Sequence, residues 1–384
     1  MGQEASDVAY MRRALRLAKD GVGHVSPNPL VGCVIVNQGE VVGQGYHQRF
    51  GGPHAEVHAL QDAGPRASGA SLYVTLEPCC HTGKTPPCVE AIIAAGIGRV
   101  VIALRDPNPL VAGGGLARLH EAGIPANLGV CEAEARQLNE AFLKYVTTQR
   151  PFVTLKCAMT LDGKIATKTG ASQWITGPKA RQYVHQMRHA ADAIVVGIGT
   201  VLHDDPLLTT RLLDRQGINP LRVIVDSTLR LPLDAQVVRV TPERRTLVAT
   251  TERASETHGR LLHERGVEIV RLPSYDDGRV DLEALWHDLG TRGMASVLVE
   301  GGATLNANLL MRCLVDKVQF FIAPKIIGGD GLSVIGPCGV ETMGQAIPLR
   351  DITSQDVEGD FLLQGYLASA DDDIGTAEDE QQGQ

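Results

Sequence analysis

One histidine, one glutamate and two cysteines carry the most specific chemistry in this chain. His54-Ala55-Glu56 opens a segment with helical spacing. Pro78-Cys79 follows a strand-like run, and Cys88 opens the next helical segment. An imidazole and two thiolates make three protein ligands. For zinc that is the catalytic arrangement, with a fourth position kept for water. Such a metal makes its water acidic near neutral pH. A neighbouring carboxylate must then take a proton from that water and deliver it to a leaving amine. Glu56 is the carboxylate in place, with His81 and Glu77 next in reach along the chain. The zinc-deaminase signature is H-x-E followed by P-C-x-x-C. Here eight residues, 80–87, separate the cysteines. The residues alone leave a second reading open, a closed structural zinc site with Cys80, His58 or His81 as fourth ligand. His54 to His58 lacks the H-E-x-x-H order of zinc proteases, which sets that class aside.

Two further turns could hold phosphate. Val299-Glu300-Gly301-Gly302-Ala303-Thr304 reads as strand, glycine pair and helix start, and residues 194–200 repeat the pattern through Gly197-Ile198-Gly199-Thr200. Backbone amides at such a turn bind anions. Neither turn has the dinucleotide spacing G-x-G-x-x-G, and tight packing at a strand–helix corner explains such glycines equally well.

The elements that must position these groups follow from periodicity. Residues 8–18 read as an amphipathic helix, 31–36 and 41–46 as a hairpin, 54–63 as a helix and 71–76 as a buried strand. A helix over 89–95, a strand over 100–104 and helices over 116–122 and 133–146 complete an α/β domain ending near residue 148. The pattern restarts after 147–151. Strands are expected at 152–157, 193–196, 221–225, 246–249, 267–270, 297–300 and 318–322, with helices at 179–190, 255–265 and 282–291. Strand–helix alternation of this kind gives a second α/β domain, over 149–370. Residues 371–384 are acidic, rich in Gln and Gly and without apolar periodicity, which predicts a disordered tail.

The chain has 384 residues, enough for two cores. Its net charge of −8, from 36 basic and 44 acidic residues, lacks the footprint of a nucleic-acid binder. No apolar run reaches membrane-spanning length. Residues 1–20 lack a signal-like apolar run, so the eight cysteines are expected as reduced thiols in a cytoplasmic protein.

At this point the motifs become specific. His54-Ala55-Glu56-Val57-His58, Thr75-Leu76-Glu77-Pro78-Cys79 and Gly83-Lys84-Thr85-Pro86-Pro87-Cys88 resemble the deaminase half of the bifunctional riboflavin-biosynthesis deaminase/reductase family. Pro27-Asn28-Pro29-Leu30-Val31-Gly32 and Arg105-Asp106-Pro107-Asn108-Pro109 match the same half. The long loop between the cysteines is that family's form of the signature. Cys80 departs from it, where the family usually has Ser. Lys156-Cys157-Ala158-Met159-Thr160-Leu161-Asp162-Gly163-Lys164, Ser172-Gln173-Trp174-Ile175-Thr176 and residues 199–206 resemble the reductase half. Val225-Asp226-Ser227 and Ala323-Pro324-Lys325 also match it.

The resemblance implies a cytidine-deaminase-like α/β/α domain over 1–148, followed by a dihydrofolate-reductase-like α/β domain. It implies Zn2+ on His54, Cys79 and Cys88 with Glu56 catalytic, and a diaminopyrimidinone carrying a ribosylamino phosphate as substrate. Asn28, His47, His81 and Lys84 would contact that substrate. In the second half NADPH would lie along Ala158, Trp174, Thr200, Asp204, Ser227 and Gly302. Lys156, Ser172, Arg188, Arg211 and Glu300 would hold the substrate, with both arginines on its phosphate. A small pyrimidine nucleotide is the expected partner, with no nucleic acid and no membrane, in a homo-oligomer. The rivals are a nucleic-acid base deaminase, disfavoured by the acidic balance and the second domain, and a non-catalytic zinc scaffold, disfavoured by Glu56 beside only three clear ligands.

Overall fold

The computed structural model describes residues 3–81, 86–108 and 111–367. Lys84 and the tail from 371 lie outside the described residues. The chain divides into two compact units, one up to Arg150 and one from Pro151. Among the described residues no helix is long and apolar enough to cross a membrane.

The first unit runs α1 (Gln3–Ala18), β1 (Gly32–Asn37), β2 (Glu40–Tyr46), α2 (Ala55–Ala63), β3 (Ser71–Val74), α3 (Cys88–Ala94), β4 (Arg99–Ile102), α4 (Gly114–Glu121), β5 (Ala126–Leu128), α5 (Glu132–Leu138) and α6 (Glu140–Thr148). Its sheet has the order β2-β1-β3-β4-β5. β1 pairs antiparallel with β2 and β3, and the rest is parallel. The β1–β2 turn is Gln38-Gly39, both at positive φ (51° and 84°), the backbone that a two-residue hairpin turn requires. β1, β3 and β4 are almost wholly buried because helices cover both faces.

Glycines set how closely those helices approach. A side chain at Gly32 would stand 2.0 Å from the Ala14 carbonyl oxygen of α1. On the other face, a side chain at Gly43 would stand 2.4 Å from the Ala59 carbonyl, and one at Gly45 would stand 2.7 Å from the Ala55 carbonyl. Helix α2 therefore lies directly on the β2 backbone. Gly45→Ala forces helix backbone to move, an overpacking that costs about 1–3 kcal/mol. Denaturant unfolding should show that loss. A midpoint equal to the parent's would mean that α2 does not depend on this approach.

The second unit contains β6 (Phe152–Thr160), β7 (Lys164–Ala166), α7 (Pro178–Ala190), β8 (Ala193–Gly197), α8 (Ile198–Asp204), β9 (Leu221–Val225), β10 (Thr246–Thr250), α9 (Glu256–His263), β11 (Glu268–Arg271), α10 (Leu282–Thr291), β12 (Ser296–Val299), α11 (Ala303–Met311), β13 (Lys317–Ala323), β14 (Leu332–Ser333), β15 (Leu349–Val357) and β16 (Asp360–Leu367). Its nine-stranded sheet has the order β11-β10-β9-β8-β12-β6-β13-β16-β15. Only β16 and β15 run antiparallel to their neighbours. Alternate residues feed cores on opposite faces. Val195 and Val223 join one, while Ile194, Val196 and Ile224 join the other. Arg222 is fully buried on β9 and donates to the carbonyls of Leu207, Arg239, Arg244 and Arg245, a backbone cage that replaces a carboxylate partner.

Several features depart from the sequence expectation, the separate β7–β14 pair among them. The single helix expected over 133–146 breaks at Asn139. The buried Asn139 side chain accepts from the Leu30 amide at 2.8 Å and donates to the Leu30 carbonyl at 3.0 Å, a tertiary clamp that outweighs helical spacing. The short edge strand β5 had no apolar run to mark it. The β15–β16 hairpin was also unforeseen, because β15 is exposed along most of its length and shows no buried face.

Candidate functional site

In the first unit His54 and Glu56 are two residues apart, a spacing that would separate them around a regular helix. His54, however, is the N-cap of α2 with extended backbone (φ −77°, ψ 166°), while Glu56 lies in the first turn. Both therefore reach one cavity, lined also by Asn28, His47, Cys79, His81, Asp106, Asn108 and Phe142. Asn28, His47 and His81 are thus brought together with the metal-site residues.

Among the described residues, His54, Cys79 and Cys88 are the group whose donor atoms could hold a metal, all within 4.8 Å of one another. His54 Nδ1 stands 3.1 Å from Cys88 Sγ and 3.5 Å from Cys79 Sγ. Zinc bonds of about 2.0–2.3 Å at tetrahedral angles need ligand separations of about this size. The charges fit as well. Hydrogen bonds from Cys88 and His54 hold the Cys79 thiol well below the usual thiol range. The Cys79 sulfur and burial push Cys88 up. Cys79 is thus the thiolate and Cys88 the thiol of the pair, and a zinc ion that takes both displaces the Cys88 proton. His58, Cys80 and His81 stand outside the donor group, so the closed four-ligand alternative has no fourth ligand among the described residues.

Glu56 is 3% exposed. Burial pushes its carboxyl up to about 7 against the pull of His54, so it can hold or release a proton near neutrality. Glu77, equally buried, is already committed. Its oxygens accept from the amides of Gly113 and Leu116 at 3.1 Å and Asp106 at 3.4 Å, which ties the start of α4 to the strand end. His47 is kept neutral by burial. Its Nδ1 donates to the Pro53 carbonyl at 3.0 Å, which leaves Nε2 to accept from the Asn28 amide at 3.1 Å. His47 thereby orients Asn28. His81 Nδ1 is buried without a partner among the described residues. Asp106, raised by burial to about 6, forms another wall. Its motif was visible in the sequence, but nothing local marked it as part of this cavity.

In the second unit the crevice opens beyond the carboxyl ends of the parallel strands, where ligands bind in such sheets. Ser172, Thr200, Asp204 and Gly302 line one cavity, and Ser227 lines a neighbouring one. The two share Gly197, Gly199, Thr304 and Leu305. At Gly199 a side chain would meet nothing within 4 Å, so its absence leaves the groove open to a ligand. Arg230, Arg253 and Arg279 surround the Ser227 end. Open amide turns and a cationic end suit a phosphorylated dinucleotide such as NADPH. Ala158 and Trp174 lie outside both linings. Ala158 pairs with Phe321 across the sheet. Trp174 is 63% exposed under the Arg181 guanidinium. Lys325, which sequence reading noted only as part of a motif, donates to the carbonyls of Trp174 and Ile175 at 2.8 and 2.7 Å and so fixes that loop.

Glu300, just beyond β12, is the hub of a buried ion cluster. Arg188 Nε and Nη2 donate to its two oxygens at 2.7 and 3.0 Å, and Lys156 Nζ lies 3.6 Å away. Burial works against the carboxylate, but the Arg188 and Lys156 charges prevail and hold it down at about 2. Arg188 Nη1 also donates to the Thr209 carbonyl at 3.0 Å. These three bonds leave two of the five guanidinium N–H groups for a ligand. Arg211 is exposed and meets His185.

Comparison with known proteins agrees with this division. The RibD C-terminal domain pattern matches residues 151–363. The cytidine and deoxycytidylate deaminase zinc-binding region matches residues 4–104. Riboflavin biosynthesis protein RibD of Actinobacillus pleuropneumoniae is 45% identical over 365 residues, covering 94% of this chain and 95% of its own. That of Aquifex aeolicus is 44% identical, covering 93% and 97%. Among solved structures, Acinetobacter baumannii RibD superposes with TM-score 0.86 at 38% identity, covering 96% of this chain and all of that one. A Thermotoga maritima diaminohydroxyphosphoribosylaminopyrimidine deaminase/5-amino-6-(5-phosphoribosylamino)uracil reductase gives 0.84 at 40% identity, with 96% of this chain and 100% of that one covered.

Proposed function

This chain belongs to the RibD family of riboflavin-biosynthesis proteins, and from that premise we propose how its own residues divide the work. It is a bifunctional enzyme. It performs zinc-dependent hydrolytic deamination of a diaminopyrimidinone ribosylamino phosphate, then NADPH-dependent reduction of the ribosyl chain to ribityl. Residues 1–148 carry the first reaction and 149–370 the second.

The observation that carries the first assignment is the cluster of His54, Cys79 and Cys88 donor atoms beside the cavity that His54, Cys79 and Glu56 line. His54, Cys79 and Cys88 hold the zinc, which when bound supplies an acidified water. Glu56 would take the proton that a water gives up as the water oxygen bonds to the amine-bearing ring carbon. Glu56 then returns the proton to the nitrogen, the C–N bond breaks and ammonia leaves. Asn28, held by His47, reads the pyrimidine. His81 and Lys84 serve the ribosyl phosphate end.

In the reductase, NADPH supplies the hydride. Thr200, Asp204, Ser227 and Gly302, which line the two cavities, bind it, and the family resemblance adds Ala158 and Trp174. Ser172 and the Lys156–Glu300 pair face the sugar, with Lys156 placed to hold or deliver the proton that accompanies ring opening. Arg188, oriented by Glu300, and Arg211 take the substrate phosphate. Arg211→Lys removes a two-pronged donor and should raise KM for the phosphorylated substrate about tenfold. Steady-state kinetics on the deaminated intermediate checks this. An unchanged KM would remove Arg211 from the phosphate site.

The test of the whole assignment is NADPH oxidation that appears only after ammonia release from the diaminopyrimidinone. The eight cysteines are free, which supports a reducing cytoplasmic setting. The edge strand β15 and its partner β16 leave Ile352 and Phe361 half-exposed, which supports a homo-oligomer that covers this edge with a second copy.

A further inference from the structure

We propose that His185 is a positioning residue of the reductase. Its imidazole, acting as a hydrogen-bond acceptor, holds Arg211 in place for the substrate phosphate. The proposal rests on the reading of Arg211 as a phosphate ligand.

His185 lies on α7 three residues before Arg188, so both face the same side of the helix. Arg211 approaches from the segment after α8. Its Nε and Nη2 both stand 3.4 Å from His185 Nε2, and its backbone N stands 3.3 Å from Nδ1. A neutral imidazole accepts at one nitrogen only. The Arg211 amide at Nδ1 and the Arg211 guanidinium at Nε2 both call on the ring's one lone pair, so in either tautomer the ring anchors Arg211.

The groups facing the ring keep it uncharged. Burial comes first, then Arg188 from its own helix and Arg211 from the opposite segment. Glu300, beyond β12, pulls the other way and is outweighed, and the ring sits low at about 4. A neutral acceptor has a consequence that a carboxylate would not. Arg188 is paired with Glu300, and Lys156 beside the same carboxylate keeps that cluster net positive. A carboxylate on Arg211 would compete with the incoming phosphate. The imidazole fixes the rotamer of an exposed arginine and leaves its positive charge for the ligand.

The test uses the full-length enzyme with the deaminated pyrimidine, with and without its phosphate. His185→Phe should raise KM for the phosphorylated form about tenfold, the cost of ordering a free arginine side chain. The kcat should stay within about twofold, and KM for the form lacking phosphate should not move. His185→Gln, which keeps an acceptor, should restore most of the loss. In an Arg211→Ala background His185→Phe should add nothing. If Phe is not accommodated, His185→Ala carries the same comparison. If Arg211→Ala raises KM but neither His185 truncation does, the positioning role is overturned and the phosphate reading stands. An undiminished His185 effect in the Arg211→Ala background overturns the role as well. If Arg211→Ala itself leaves KM unchanged, the phosphate reading falls and the proposal with it.

Discussion

Glu56→Gln should retain one zinc per chain, bind the diaminopyrimidinone, and lose deamination by about 10²–10⁴-fold. Gln keeps the shape of the side chain and its fit in a site only 3% exposed. What it loses is the proton that must be taken from water and passed to the leaving nitrogen. The zinc makes the water acidic, but it has no means of carrying a proton to nitrogen. Among the described residues, the other two carboxylates on the cavity wall already accept backbone amides. Glu77 is occupied by the amides of Gly113, Leu116 and Asp106. Asp106 is held by the Asn108 amide at 2.9 Å. Ammonia release and metal content, measured on the same preparation, decide the point. A variant that deaminates near the parent rate would move the role to His81, whose Nδ1 stands buried and without a partner among the described residues.

Replacing any one of His54, Cys79 or Cys88 with Ala should abolish deamination and empty the metal site. NADPH-dependent reduction of a substrate supplied already deaminated should continue. Two ligands cannot hold zinc against competition from buffer and protein thiols, so occupancy should fall from one to near zero. Survival of the second activity follows from the cores. The buried residues around the zinc site, from Met11 to Ala135, form one cluster. The reductase cores draw only on residues from Val153 onward. Metal analysis beside the two separate assays makes the comparison. Loss of both activities with the chain still folded would show that the second reaction depends on the zinc unit. Full zinc occupancy in any of the three variants would remove that residue from the ligand set.

The deaminase chemistry was legible because its residues announce themselves locally. His54-Ala55-Glu56 and Pro78-Cys79 sit at strand and helix ends, where the backbone turns side chains toward one point. The same strings did not reveal that Glu77 serves α4 while Glu56 serves the cavity. That difference depends on amides more than 30 residues further along the chain. Asn139 breaks a well-patterned helix because of a residue 109 positions away. β15 escaped notice because its residues face outward and carry no alternation of burial. The ion cluster of Lys156, Arg188 and Glu300 consists of residues singled out individually, but only the fold shows that one carboxylate holds two cations. His185 gave no signal at all. One of two histidines in a helix of arginines and glutamines, it acquires meaning only when Arg211 is folded against it.

The bare glycines of β2 have a bearing on metal supply. Helix α2 rests on Gly43 and Gly45 through backbone contact, and its Ala55, Ala59 and Ala63 are buried in the core. Nothing in that seat depends on an ion. Where a small zinc domain collapses when stripped of its metal, this one should keep its shape and leave an empty cradle. A cell starved of zinc would then accumulate dormant but intact copies. When the metal returned, these could resume work at once, with no need for the ribosome to replace them.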